Sequence, residues 1–286
     1  MKEFEYYSPR SLDEAFRLSA SMPGSHYISG GTDVMVRIRN RDIKPEALVS
    51  LRNISDLRGI DIGSVTSIGG STTIAELTEH PELAKMFPVL VQAARKLGSA
   101  QIRNAATIAG NLCNCSPCAD TAPALIVLDA RAQLKSPDSN REVSMEELFV
   151  GPGQSCLNRD EILASIVLDP PDPGARAVYM KKGRVKMDLA IASVAVLIVM
   201  DGDRCTKARV AAGSVAPVPL RLKEVEKILE GGGITKDVIE KAGAKAMESV
   251  EPIDDVRASA DYRRRIVGVF VERAVRQLMS SESEQS

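Results

Sequence analysis

The chain has no tryptophan, only two histidines, and aromatic side chains at 3% of its 286 residues. With so few aromatics, the stacking platforms that grip single-stranded nucleic acid have little to be built from. His26 and His80 are too few for a multi-histidine metal centre, and both read as surface or packing residues. Neither G-x-G-x-x-G nor G-x-x-x-x-G-K-[ST] occurs, which argues against a Rossmann or P-loop nucleotide site. A G-x-S-x-G elbow is missing too, as is any histidine dyad for nucleophilic catalysis. No sign of charge dominates: 37 Lys and Arg face 38 Asp and Glu, and the basic residues are scattered, so neither nucleic acid nor an acidic membrane is expected as partner. The longest apolar run, "LAIASVAVLIVM" from Leu189 to Met200, is too short to span a bilayer, and "MKEFEYY" is not the basic-then-apolar start of an export signal. Five cysteines, an odd number in a long chain, do not suggest a secreted disulfide framework, and a cytoplasmic setting is expected.

What is present suggests two domains. Ser11 with Glu14 three residues on predicts a capping box opening a helix with Leu12, Ala15, Phe16 and Leu18 on one face. A short strand from His26 to Ser29 then enters a Gly-Gly turn and a helix starting at Thr32 or Asp33. "ALVSLRNI" and "VTSIGGSTT" read as strands. From Ile74 to Leu97 the pattern is helical, and Pro81 and Pro88 predict two short helices in place of one long one. "PALIVLDARAQLKS" predicts a short helix or turn passing into a strand pair. "LDPPDPGARA", Leu168 to Ala177, is the best domain boundary. Beyond it, three strands (near Ala177 to Lys181, Ile191 to Met200 and Cys205 to Val215) and three helices predict a small α+β unit. The tail "SSESEQS" (residues 281–286 at its end) reads as disordered.

Three stretches carry chemistry. In "SGGTD", Ser29 to Asp33, adjacent glycines permit positive φ, and the turn can present successive N–H groups to an anion; the alternative is a plain tight turn. "TIAGN", Thr107 to Asn111, repeats this logic, with Thr107 and Asn111 adding polar side chains at its rim. Two such bends in one domain suit a ligand with two phosphates. "IGGST" near Gly69 is a partial echo from which no duplication is drawn. Cys113, Cys115 and Cys118 lack a fourth nearby ligand, since Cys156 and Cys205 are distant in sequence; a cluster, a labile disulfide and simple packing all stay open. Asp120 can accept from a ligand or cap the next helix.

Taken together, "GGTD" (Gly30 to Asp33), "SIGGSTT" (Ser67 to Thr73), "QIRNAATIAGN" (Gln101 to Asn111), "CSPCADTAP" (Cys115 to Pro123) and "MDLAIASVA" from Met187 resemble, in order, the FAD-binding subunits of the molybdenum hydroxylases. That family includes the medium subunit of aerobic carbon monoxide dehydrogenase and the flavin domain of xanthine dehydrogenase, and the likeness runs from about Phe4 to Met279. It implies an α+β FAD-binding fold of the vanillyl-alcohol oxidase type, in two subdomains of about 1–57 and 58–172. A flavoprotein C-terminal domain over 177–280 would follow.

The resemblance also implies roles for residues. Ser29, Gly30, Gly31, Thr32 and Asp33 would line the FAD pyrophosphate and ribityl region, and Thr107, Ile108, Ala109, Gly110 and Asn111 would form a second cradle. Asp120 would contact the adenosine part, Leu163 would offer a backbone contact, and Lys181, or Lys182 beside it, would lie near the flavin. Where the family has Gly, Ala109 adds a methyl that is tolerated if its φ is negative. Tyr179 is a candidate flavin shield, with packing as the alternative. A family relative carries an iron–sulfur cluster on a long inserted loop; no such insertion is evident here, so the thiols become neighbours of the cradle and not metal ligands. The implied function is electron transfer: a molybdopterin-binding large subunit oxidises substrate, a [2Fe–2S] small subunit relays electrons, and FAD passes them to NAD or quinone. A self-sufficient FAD oxidoreductase with its own substrate pocket is the alternative, and a scaffold that has lost its cofactor is a third reading.

Overall fold

The structure, a computed structural model, describes residues 3–280; the expected disordered tail at 281–286 lies outside them. The first lobe is built as β1 (Glu5–Tyr7), α1 (Leu12–Ser21), β2 (Ser25–Ile28), α2 (Val34–Asn40) and β3 (Ala47–Ser50). Its three strands form a parallel sheet in the order β1-β3-β2. Ser11 caps α1 by accepting from the Glu14 amide, but the Glu14 carboxylate reaches back to the amide of Arg10 and not to that of Ser11. The box is therefore half formed.

The second lobe continues with β4 (Ile60–Ile62), β5 (Thr66–Gly69), α3 (Ile74–Glu79), α4 (Pro81–Met86), α5 (Pro88–Lys96), α6 (Ala100–Ala105), α7 (Ile108–Cys113), α8 (Thr121–Val127), β6 (Arg131–Lys135), β7 (Asn140–Ser144), α9 (Met145–Leu148), β8 (Phe149–Gly151), β9 (Gln154–Ser155) and β10 (Ile162–Leu168). Its main sheet is antiparallel, β4-β5-β10-β6-β7. The region from Ile74 to Lys96 holds three helices where two were expected, because Pro81 and Pro88 each occupy a first helical turn. Proline lacks only an N–H that is orphaned there anyway, so each proline ends one helix by starting another.

After "LDPPDPGARA" come β11 (Arg176–Lys182), β12 (Ala192–Asp201), β13 (Arg204–Gly213), β14 (Leu220–Arg221), α10 (Lys223–Leu229), α11 (Lys236–Glu248) and α12 (Ala260–Ser280). The sheet has four strands, not three, since the two-residue β14 pairs with Ala211 and Ala212. The unbroken apolar run of β12 is explained by burial on both faces. Ala195 and Leu197 join the core of the second lobe, while Val194, Val196 and Ile198 face α10, α11 and α12. The C-terminal sheet therefore lies directly on α5 and α8, through one shared apolar core.

Arg263, on α12 and 2% exposed, ties this unit together. Its guanidinium donates to the carbonyls of Ile191 (2.6 Å) and Ser214 (3.1 Å) and to the Asp255 carboxylate (2.7 Å). Burial works to raise the Asp255 carboxyl, but the amides of Arg257 and Ala258 and the charge of Arg263 outweigh it and hold it at about 2. A carboxyl lowered in the folded state stabilises above its unfolded range near ~4 and loses that contribution as pH falls. We expect urea midpoints of the full chain to drop between about pH 4 and about pH 2, with Asp255→Asn flattening this part of the profile and costing about 2 kcal/mol at neutral pH.

Candidate functional site

Between the two lobes lies a cleft of about 570 Å³, lined also by Met187, Asp188 and Leu189 after β11. That is the size of a site for an extended small molecule. Its wall is made where three glycine-containing segments meet. Gly30 rests on the backbone of Ala105 and Ala106, so closely that a Cβ there would stand 2.0 Å from the Ala105 carbonyl oxygen. Gly70 is pressed in the same way against the Leu163 carbonyl, at 2.3 Å. The hydroxyls of Ser29 and Ser71 join the first and second lobes at 3.3 Å.

The two bends proposed as anion cradles are not equivalent. Gly31 has a φ of 73°, and among the described residues the amides of Gly30, Gly31, Thr32 and Asp33 donate to no protein acceptor. Four successive N–H groups on cleft-lining residues are thus without a protein acceptor, which leaves them available to a ligand. In the second bend four of the five amides, those of Ile108 to Asn111, already have protein acceptors. Ile108 donates to Thr72, Ala109 to Gly70, Gly110 to the Thr107 hydroxyl and Asn111 to the Thr107 carbonyl. The two bends therefore differ in how many of their amides already have protein partners. Thr107 caps α7 and so takes the Gly110 amide, while the Ile108 and Ala109 amides are taken by the Thr72 and Gly70 carbonyls. This bend offers surface and side chains instead, including the Asn111 carboxamide, whose oxygen accepts from Thr121 at 2.6 Å. Ala109 lies in α7 with no positive φ, so its methyl is accommodated.

Of the residues singled out in the sequence, Ser29 to Asp33, Thr107, Ala109, Gly110, Asn111, Asp120 and Leu163 all line the cleft. Ile108 and Lys181 do not: Ile108 is fully buried in the core, and Lys181 stands behind Asp120. Leu163 sits at a break in register between β10 and β6, which frees its carbonyl side for the Gly70 contact. Gly70 and Ser71 line the cleft as well and were missed as site residues; the "IGGST" echo was the available signal.

Asp120 anchors a buried cluster that joins the lobes to the C-terminal sheet. Its side chain accepts from the Tyr179 hydroxyl and from Lys181 Nζ, both at 2.8 Å, and it makes no helix cap. Lys181 also donates to the Lys96 carbonyl at 2.9 Å, while Lys182 is exposed. Burial pushes the Asp120 carboxyl up, against the pull of Lys181, Tyr179 and Lys96. Tyr179, itself 2% exposed and raised well above its ordinary range by burial, is packed in the core and is not among the residues lining the cleft.

The thiols fall into two groups. Burial pushes Cys113 up to about 12 and Cys115 up to about 11, each also raised by Cys156, which the fold brings near both. Thiols so raised are protonated and unreactive. Cys113 and Cys118 both line the cleft, and Cys118 accepts from Arg257 at 3.6 Å. All five cysteines are free, and among the described residues no group of three or more His, Cys, Asp and Glu is arranged to hold a metal ion.

A cleft floored by glycine backbone and open amides defines an α+β protein that takes an extended, phosphate-bearing cofactor. Residues 2–171 match the FAD binding domain in molybdopterin dehydrogenase, and residues 177–278 match the CO dehydrogenase flavoprotein C-terminal domain. The chain belongs to this family: it is an FAD-binding oxidoreductase subunit of the xanthine and carbon monoxide dehydrogenase type. It is 32% identical to the carbon monoxide dehydrogenase medium chain of Afipia carboxidovorans, covering 95% of each chain. It is also 28% identical to the xanthine dehydrogenase FAD-binding subunit of Escherichia coli O157:H7, over 96% of each. A solved structure of carbon monoxide dehydrogenase from Hydrogenophaga pseudoflava superposes with a TM-score of 0.94 at 30% identity, covering 98% of both chains. Among the described residues no helix is long and apolar enough to cross a membrane.

Removing Lys181 strands a buried carboxylate, and breaking such a pair costs about 3–5 kcal/mol. Lys181→Met is expected to lower stability by that amount in urea titrations, and adding Asp120→Asn to recover part of the loss.

Proposed function

We propose that the chain is the FAD-carrying electron-transfer subunit of a molybdopterin-dependent hydroxylase or dehydrogenase complex. Its electrons come from a [2Fe–2S] small subunit whose own donor is a molybdopterin-binding large subunit, and they leave to an external acceptor, NAD or quinone. The observation that carries this reading is the row of open amides at Gly30 to Asp33, set in a cleft whose glycines leave no room for side chains. Those amides would take the diphosphate. Ser71, Thr107 and Asn111 on the second lobe, with Ser29 beside the amides, would meet hydroxyls and phosphate oxygens, and the Asp33 carboxylate suits ribityl or ribose hydroxyls better than phosphate, which it would repel. Leu163 would contribute backbone surface through the Gly70 contact. Lys181 would act through Asp120, holding that carboxylate in place at the cleft.

FAD, when bound, supplies the redox chemistry, and the protein sets its position and access. This division of labour agrees with a chain that has no histidine dyad or nucleophile elbow. Relatives named as medium chains or FAD subunits of larger dehydrogenases support the multi-subunit reading. The two lobes and the C-terminal unit, about 1–57, 58–172 and 177–280, are proposed as its subdomains, and the cytoplasm as its compartment.

Two measurements test the proposal. Purification from the native cell should bring down a large molybdopterin subunit and a small iron–sulfur subunit with this chain. Flavin reduction by a small donor in the isolated, FAD-loaded chain would instead favour a self-sufficient oxidoreductase. Separately, Gly31→Ala places a Cβ in a left-handed conformation that the fold already requires, so the chain should lose about 1–2 kcal/mol of stability in urea titrations.

A further inference from the structure

A second recess, of about 300 Å³, adjoins the cleft, and Ser29, Gly30, Ser71 and Thr107 line both. No role described above uses it. Its remaining lining mixes Ala75 and Ala105 with polar and charged groups, among them the guanidinium groups of Arg52 and Arg58. Among the described residues, the Arg52 side chain makes no hydrogen bond or ion pair, and neither does the Asn104 carboxamide beside it. Arg58 is anchored through one nitrogen only, which meets Glu76 Oε1 at 3.2 Å. The other oxygen of Glu76 accepts from the amide (2.6 Å) and hydroxyl (2.7 Å) of Thr73, so the carboxylate that positions Arg58 is itself fixed by the α3 capping box. The recess thus holds two positive charges against one negative, with the remaining donors of both forks and the Asn104 amide unclaimed. Guanidinium forks match the oxygen geometry of carboxylates and phosphates.

We infer that this recess is a binding site for a small oxyanion, a phosphate- or carboxylate-bearing metabolite held between Arg52 and Arg58. Its volume is at the low end for a small-molecule site and too small for a dinucleotide, so the ligand is a compact mono- or polyanion. The inference depends on the FAD reading only for what fills the adjoining cleft. The groups that would hold the anion, Arg52, Arg58 and Asn104, line the recess and not the cleft, while Ser29, Gly30, Ser71 and Thr107 are shared by both.

The test is a calorimetric titration of the full-length chain, loaded with FAD so that the cleft amides are occupied, with inorganic phosphate and, separately, with citrate, using chloride as the control. The flavin-to-protein ratio is measured first on the same sample by visible absorbance. A poor ratio counts against the proposed function and leaves the titration to be read on its own. Saturable binding of one equivalent is expected, weakened at least 10-fold in Arg52→Ala/Arg58→Ala while the flavin ratio stays unchanged. The tighter of the two anions assigns the ligand to the phosphate or the carboxylate class. Absence of saturable binding for both anions overturns the inference, and so does equal binding by the double variant.

Discussion

The contact between Gly30 and the backbone of Ala105 and Ala106 organises the molecule. A carbonyl oxygen occupies the place a side chain would need, so the first bend is held flush against the segment leading into the second. Because Gly30 lies on the first lobe and Ala105 on the second, the same contact sets the width of the cleft. Gly70 repeats the device from β5, pressing on Leu163, so that backbone forms the wall on both sides. Only in such a setting can four consecutive amides stay exposed to a ligand without a competing side chain.

The cleft is closed off at the back by a polar cluster inside an otherwise apolar junction. Asp120, Tyr179 and Lys181 fasten the second lobe to β11, and the shared core of α5, α8 and the C-terminal sheet surrounds them. A buried ion pair contributes little net stability against an apolar replacement. It fixes which way the C-terminal sheet sits on the lobes, and so where Met187 to Leu189 reach the cleft. Arg263 performs the matching task on the other face of the sheet, joining the segments at Ile191 and Ser214 to Asp255.

Much of this was legible in the residues. The strand-turn-helix around "SGGTD", the buried run of β12 and the α+β character followed from periodicity and glycine placement, and the family from the order of its motifs. Other features depended on tertiary context. Proline rules mark where a helix cannot continue, and they marked Pro81 and Pro88, yet whether a new helix starts at once depends on packing against β5 and β11. The inequality of the two bends was hidden because Thr107 can cap a helix or face a ligand, and only the fold shows it capping. Tyr179 and Lys181 stand two residues apart on one strand, so they share a face, but their convergence on Asp120 requires the C-terminal sheet to be docked. Cys156 reaches Cys113 and Cys115 only through the turn at β8 and β9.

The central claim is that the amides of Gly30 to Asp33, and not those of the second bend, hold the diphosphate of FAD. A crystal structure of the FAD-loaded protein tests it most directly. The account predicts diphosphate oxygens within hydrogen-bond distance of those four nitrogens, with the Ile108 to Asn111 amides still bonded to Thr72, Gly70 and Thr107. A diphosphate bonded instead to the second bend, with its internal hydrogen bonds broken, would contradict it.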